Sequence, residues 1–131
     1  MNKLHSLILA ITLCIGSVSV ATAQDYDKGV AAYSAGDYQT ALREWRPLAE
    51  QGDADVQYNL GWMYQNGLGV PQDYAEAVKW YRLSADQGDA SAQNTMGVRY
   101  QNGEGVLQDY AEAVKWYRLS AEQRDTDAQN N

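Results

Sequence analysis

The stretch Asp73-Tyr74-Ala75-Glu76-Ala77-Val78-Lys79-Trp80-Tyr81-Arg82-Leu83-Ser84-Ala85 returns letter for letter as Asp109 to Ala121, 36 residues later. Aligning 53–88 with 89–124 gives 25 identical positions out of 36. A weaker copy precedes them at the same offset, with Asp37-Tyr38, Ala41-Leu42, Trp45 and Ala49-Glu50-Gln51-Gly52-Asp53. A period of this length belongs to repeat architectures in which each unit stacks on the next.

The repeated stretch predicts a helix, called B. Tyr74, Ala77, Val78, Tyr81 and Ala85 follow helical spacing and form one apolar face. Trp80 and Leu83 add a second apolar edge, so the helix is expected to be touched on two sides. Asp73 and Glu76 form a capping box, and Asp109 with Glu112 repeats it. Glu76–Lys79 and Arg82–Asp86 have the spacing of ion pairs. A preceding helix A is predicted over 54–66, with Asp53 as cap and Asn66-Gly67 as its end. Gly67-Leu68-Gly69-Val70-Pro71-Gln72 then leads into helix B, and Asn102 to Gln108 repeats the loop with Val106 in place of Val70 as apolar anchor. The loop has no Walker lysine and no strand before it, which removes the phosphate-binding reading of its glycines. Gly61 and Gly97 stand mid-helix, where glycine costs about 1 kcal/mol against alanine. Close approach of helix A to helix B is the expected return.

The first unit departs from this pattern. Its helix A is short, roughly Tyr26 to Ala35, and Gly36 passes directly to Asp37 without the long loop. Its helix B carries Pro47 where the other units have Leu83 and Leu119, so a kink or a helix in two pieces is expected.

The string Gln57…Leu60-Gly61…Tyr64…Gly67-x-Gly69-Val70-Pro71-Gln72-Asp73-Tyr74-x-x-Ala77-x-x-Trp80-Tyr81…Ala85…Gly88 resembles the Sel-one-like repeat, a relative of the tetratricopeptide repeat. The resemblance covers nearly all of 24–131. It implies an all-α fold, an α-solenoid of about three helix–turn–helix units, with A helices along a concave side that holds other proteins. The units fall at about 24–52, 53–88 and 89–124, and a truncated helix start is expected at 125–131.

The two strong units also differ from each other in an informative way. Helix B hardly changes, whereas helix A diverges at Asp55/Ser91, Tyr58/Asn94, Asn59/Thr95, Trp62/Val98 and Met63/Arg99. Val56/Ala92 and Leu60/Met96 stay apolar and read as core. Asp55, Asn59 and Trp62 share a face at i, i+4 and i+7, flanked by Tyr58 and Met63. The expected contact surface for a protein or peptide partner is therefore Tyr58, Asn59, Trp62, Met63, Asn94, Thr95, Val98 and Arg99. Trp, Tyr and Arg are the side chains that most often dominate binding energy. The opposing reading has Trp62 and Tyr58 packing between units, with Asp55 and Asn59 on a solvated face. The C-terminal end is a second candidate surface. The face of Val114, Tyr117 and Leu119 is expected to be partly uncovered, open to another copy of the chain or to a partner.

The N-terminus reads as an export signal over 1–23. A lysine at position 3 precedes a 14-residue apolar run from Leu7 to Val20, and Ala21-Thr22-Ala23 supplies a small-x-small cleavage pattern. That run is shorter than the roughly 20 residues a spanning helix needs. Cys14 follows Leu13, not a small residue, which argues against lipidation. The expected location is periplasmic or secreted. Removal of the signal leaves neither cysteine nor histidine, so disulfides, zinc sites and the usual base–nucleophile pairs have no residues to form them. It also leaves 9 basic against 17 acidic residues, a net charge of −8, which argues against nucleic acid and anionic lipid.

Cysteine-rich exported proteins with this repeat have been linked to penicillin binding and weak β-lactam hydrolysis. This chain departs from them, because 24–131 holds no cysteine and no Ser-x-x-Lys. Its paired acids Asp73/Glu76 and Asp109/Glu112 recur in each unit as caps, whereas a catalytic pair would be expected once. The expectation is a non-enzymatic interaction module without cofactor or metal. A self-associating envelope protein is the alternative.

Overall fold

The computed structural model describes the backbone of residues 18–130 and the side chains of 25–130. The signal expected at 1–23 lies outside the described residues, apart from the backbone of 18–23, which begins the first helix. Six helices and no strands occur among the described residues: α1 Val18–Ser34, α2 Tyr38–Glu50, α3 Ala54–Asn66, α4 Tyr74–Asp86, α5 Ala90–Asn102 and α6 Tyr110–Asn130. They form three hairpins, α1–α2, α3–α4 and α5–α6, each also packed on the next. This is the expected all-α solenoid. No helix among the described residues is long and apolar enough to cross a membrane.

An aspartate opens each helix from α2 to α6. Asp37, Asp53, Asp73, Asp89 and Asp109 accept the backbone N–H of Thr40, Val56, Glu76, Ala92 and Glu112 at 2.6–3.2 Å. Each bond satisfies one of the orphan donors of a first turn. The second half of the expected capping box is replaced: Glu76 and Glu112 pair with Lys79 and Lys115 at 3.0 and 3.1 Å. Gly67 and Gly103, left-handed at φ 64° and 67°, end α3 and α5.

Within a hairpin the mid-helix glycines meet aromatic rings. A Cβ on Gly61 would lie 2.7 Å from the Tyr81 ring, and one on Gly97 would lie 2.6 Å from Tyr117. Gly29 repeats the arrangement against Trp45, whose indole N–H donates to the Tyr26 carbonyl at 3.2 Å. Tyr81 is fully buried and donates to Gln65 Oε1 at 2.9 Å. Burial pushes its phenol well above the usual tyrosine range, with Tyr58 adding to the rise and Arg99 opposing it.

Between hairpins the ties are polar and recur. Gln57 and Gln93, both buried, donate to the carbonyls of Ala49 and Ala85 at 3.0 and 3.1 Å. Arg46 and Arg82 donate to the hydroxyls of Tyr64 and Tyr100 in the following unit. Arg82 is thereby engaged away from Asp86, and the ion pair expected between them is absent. The loop glycines press on the preceding unit: a Cβ on Gly69 would lie 2.8 Å from the Tyr38 carbonyl carbon, and one on Gly105 would strike the Tyr74 carbonyl. Val70 and Val106 pack against the two core clusters, as anchors should.

Two elements narrow or overturn the sequence expectation. Of the two outcomes expected at Pro47, a helix in two pieces is excluded, because α2 runs through it unbroken. Pro47 and Arg43, whose carbonyl loses its N–H partner, both lie on the exposed side, where water can replace the missing bond. The helix start expected at 125–131 is absent, because α6 continues unbroken to Asn130. Gly52 and Gly88, at φ 105° and 96°, turn the chain after α2 and α4, but the matching position 124 is arginine, which does not favour that conformation.

A third difference concerns the expected contact surface. Met63 and Arg99 are buried, at 0% and 8% exposure. Met63 belongs to the first core cluster, against which Leu68 packs. Arg99 lies 5.4 Å from the centroid of the Tyr74 ring and pairs with Glu104 at 3.0 Å. Glu104 is the counterpart of Leu68, so an apolar pair in one unit becomes an ion pair in the next. Removing one charge of such a pair leaves the other without its partner. Arg99→Met alone is expected to lower stability by about 1–3 kcal/mol. Arg99→Met with Glu104→Leu, copying the preceding unit, should recover most of it. Urea unfolding of the single and double variants measures this, and equal loss in both would count against the coupling.

Candidate functional site

The outer turns of α3 carry the decisive side chains. Tyr58, Asn59 and Trp62 line a pocket of about 400 Å³ together with Val30, Tyr33 and Ser34 of α1 and Trp45 of α2. Helical spacing puts Tyr58 and Asn59 one turn before Trp62, so a single helix face supplies one wall. Val30, Tyr33 and Ser34, at i, i+3 and i+4, share one face of α1 and supply the other. The turn at Gly36 brings α1 and α2 together, and α3 packs on α2.

Four of the seven lining residues are aromatic. The Tyr33 and Trp45 rings lie 5.7 Å apart at 30°, and Tyr58 sits 5.4 Å from Tyr81. Trp45 is buried and fixes the floor, whereas Trp62 remains 42% exposed at the mouth. A large aromatic held half in water is poised to gain from being covered. The polar groups are the Ser34 hydroxyl, the Asn59 amide and the tyrosine hydroxyls, and the lining contains no carboxylate, lysine or arginine. Ser34 has no base among its neighbours in the lining. No group of three or more His, Cys, Asp or Glu residues that could hold a metal ion occurs among the described residues. The arrangement is built to bind an apolar or amphipathic group.

The expected contact residues thus separate into three sets. Tyr58, Asn59 and Trp62 come together in the pocket. Asn94, Thr95 and Val98 occupy the corresponding places on α5, half-buried and outside the pocket lining. Met63 and Arg99 belong to the interior. The α1 wall and Trp45 were not among the expected contact residues. The signal for them is Gly29, which matches Gly61 at an offset of 32, not 36, because the first unit lacks the long loop. That alignment sets Tyr26 beside Tyr58 and Val30 beside Trp62.

The family model of the Sel1 repeat matches residues 54–89 and 90–125. No curated protein matches the chain. A protective antigen present in uropathogenic Escherichia coli strains, displaying an SLR fold, aligns with a TM-score of 0.73 at 42% identity, over 78% of this chain and 23% of its own. A Sel1 repeat protein from Oxalobacter formigenes aligns with a TM-score of 0.69 at 38% identity, over 72% of this chain and 39% of its own. The chain therefore spans less than half the length of either. Cysteine rich protein B of Helicobacter pylori, 19% identical, shares the fold with a TM-score of 0.65 over 88% of this chain and 97% of its own. Sel1 repeats generally act as protein–protein interaction modules and as non-catalytic scaffolds. Two matched repeats covering more than half of the chain, on a solenoid frame shared with these structures, make this protein a member of the Sel1 repeat family.

Proposed function

We propose that the protein is an exported interaction module that holds a protein or peptide partner in the pocket between α1 and α3. The observation that carries this is the exposed Trp62 standing over an aromatic pocket in a family of interaction modules. The leader-like 1–23 and its Ala-x-Ala site support export to the periplasm or beyond. The absence of histidine and cysteine from 24–131 supports binding without catalysis.

A second reading, self-association, is favoured by one specific feature. Val78 is 5% exposed beneath the loop of the following unit, but its counterpart Val114 is 45% exposed and Tyr110 is 65% exposed. Tyr110, Val114, Tyr117 and Ala121 form an i, i+4, i+7, i+11 stripe on α6. Arg118 is exposed, whereas its counterparts Arg46 and Arg82 are tied to tyrosines of the next unit. A second copy laid on this stripe would continue the interface that already joins the internal units.

The tests separate the two. Protein recovered from the periplasmic fraction is expected to begin at Gln24 and to retain a partner on an affinity column. Trp62→Ala, with an unchanged melting temperature, should weaken that partner by roughly 30-fold or more, as loss of a central hot spot does. Undiminished capture by Trp62→Ala moves the site elsewhere. Sedimentation equilibrium addresses the second reading. A concentration-dependent dimer abolished by Val114→Lys supports it, and a monomer at every concentration removes it.

A further inference from the structure

We propose that the α1–α3 pocket selects basic peptide segments and takes a lysine or arginine side chain against its aromatic wall. This rests on the pocket being the partner site and adds the charge of the occupant. The face of an aromatic ring attracts a cation within about 6 Å. The chain itself relies on that attraction at its internal joints. Arg46 stands over Tyr64 at 5.9 Å, Arg82 over Tyr100 and Trp116 at 5.8 Å, and Arg99 over Tyr74 at 5.4 Å. Each of these contacts joins one hairpin to another. The pocket presents Tyr33, Trp45, Tyr58 and Trp62, and among the described residues no cation of the chain stands over any of the four.

The stretch of chain that supplies the pocket is net negative. Residues 25–66 contain seven acidic and three basic side chains. All three bases are engaged: Lys28 with Asp25, Arg43 with Glu44, and Arg46 with Tyr64. Asp55 precedes Asn59 by one turn and Trp62 by two on the lining face of α3. Asp27 precedes Val30 and Ser34 in the same way on α1. Both aspartates are exposed, and neither joins an ion pair among the described residues. A long aliphatic stem fits an apolar lining, and its charged head gains from ring faces and from carboxylates one turn away. An acidic side chain meets repulsion in the same place, and a neutral one lacks the charge contribution.

The experiment titrates the purified protein with four acetylated and amidated pentapeptides, Ala-Leu-Xaa-Leu-Ala, in which Xaa is Lys, Arg, Gln or Glu. Affinities of the natural chain and of every variant are measured by isothermal titration calorimetry, and the Trp62 indole N–H resonance of the natural chain reports where the peptide sits. The Lys and Arg peptides are expected to bind at least about fivefold more tightly than the Gln peptide, within the range of cation–π contacts. The Glu peptide should bind most weakly. Asp27→Asn with Asp55→Asn should shrink the advantage, as should 0.5 M salt, and Trp62→Ala should weaken all four. Equal affinity of the four peptides at Trp62 overturns the preference for cations and leaves the pocket standing as the site. A preference that persists undiminished in Trp62→Ala places the cation elsewhere and overturns the proposal. No response of Trp62 to any peptide overturns both the proposal and the reading beneath it.

Discussion

A side chain reduced to hydrogen sets the spacing of each hairpin. Gly29, Gly61 and Gly97 sit inside A helices, where a glycine is unfavourable by about 1 kcal/mol. Each lies under an aromatic ring of its B helix, Trp45, Tyr81 or Tyr117, at a separation that leaves no room for a methyl group. The ring gains close packing against backbone, and burial of an aromatic outweighs the helix penalty. Each ring thus meets helix A at its glycine, and the far side of α3 remains partly open, with Trp62 42% exposed. Asn59 and Trp62 line the pocket from that side, and Tyr58 does so while also packing on Tyr81.

Stacking of the hairpins rests on a different kind of contact. Gln57 reaches the end of α2 and accepts from Gln87 at 2.8 Å, so one buried amide touches three helices. Gln93 repeats the first bond but not the second, and its Oε1 is left buried without a partner. The matching Gln123 points to Asp127 along the continued α6. Arginine stands at position 124, where the preceding units have a glycine of positive φ that turns the chain, and α6 runs on through it.

The frame of the molecule was legible because the repeat compares the chain with itself. Identical letters at an offset of 36 gave both helices of the two strong units, their aspartate caps and the glycine approach. The site was legible only in part. Tyr58, Asn59 and Trp62 were marked by divergence on a helix that otherwise packs, but divergence alone does not separate a freed surface from a compensated interior. Met63→Arg99 looks like a surface change until Leu68→Glu104 is set beside it, five residues on. The α1 wall was hidden by arithmetic, since a shorter first loop shifts Gly29 out of register with the other glycines. Pro47 does not split α2, because the bond it removes belongs to the exposed Arg43 carbonyl, which water can satisfy.

The glycine contact can be tested at the third hairpin, where the ring is only half-buried and its removal is tolerated best. Gly97→Ala would be introduced into the natural chain and into Tyr117→Ala, with thermal unfolding followed by circular dichroism. A Cβ 2.6 Å from the Tyr117 ring predicts that Gly97→Ala destabilises the natural chain by about 1–3 kcal/mol. Once the ring is gone, the same substitution should stabilise by up to about 1 kcal/mol through helix propensity. That reversal of sign is the result the account requires. Stabilisation by Gly97→Ala in both backgrounds would contradict it, since the hairpin would then have room for a side chain and its spacing would be set by something else.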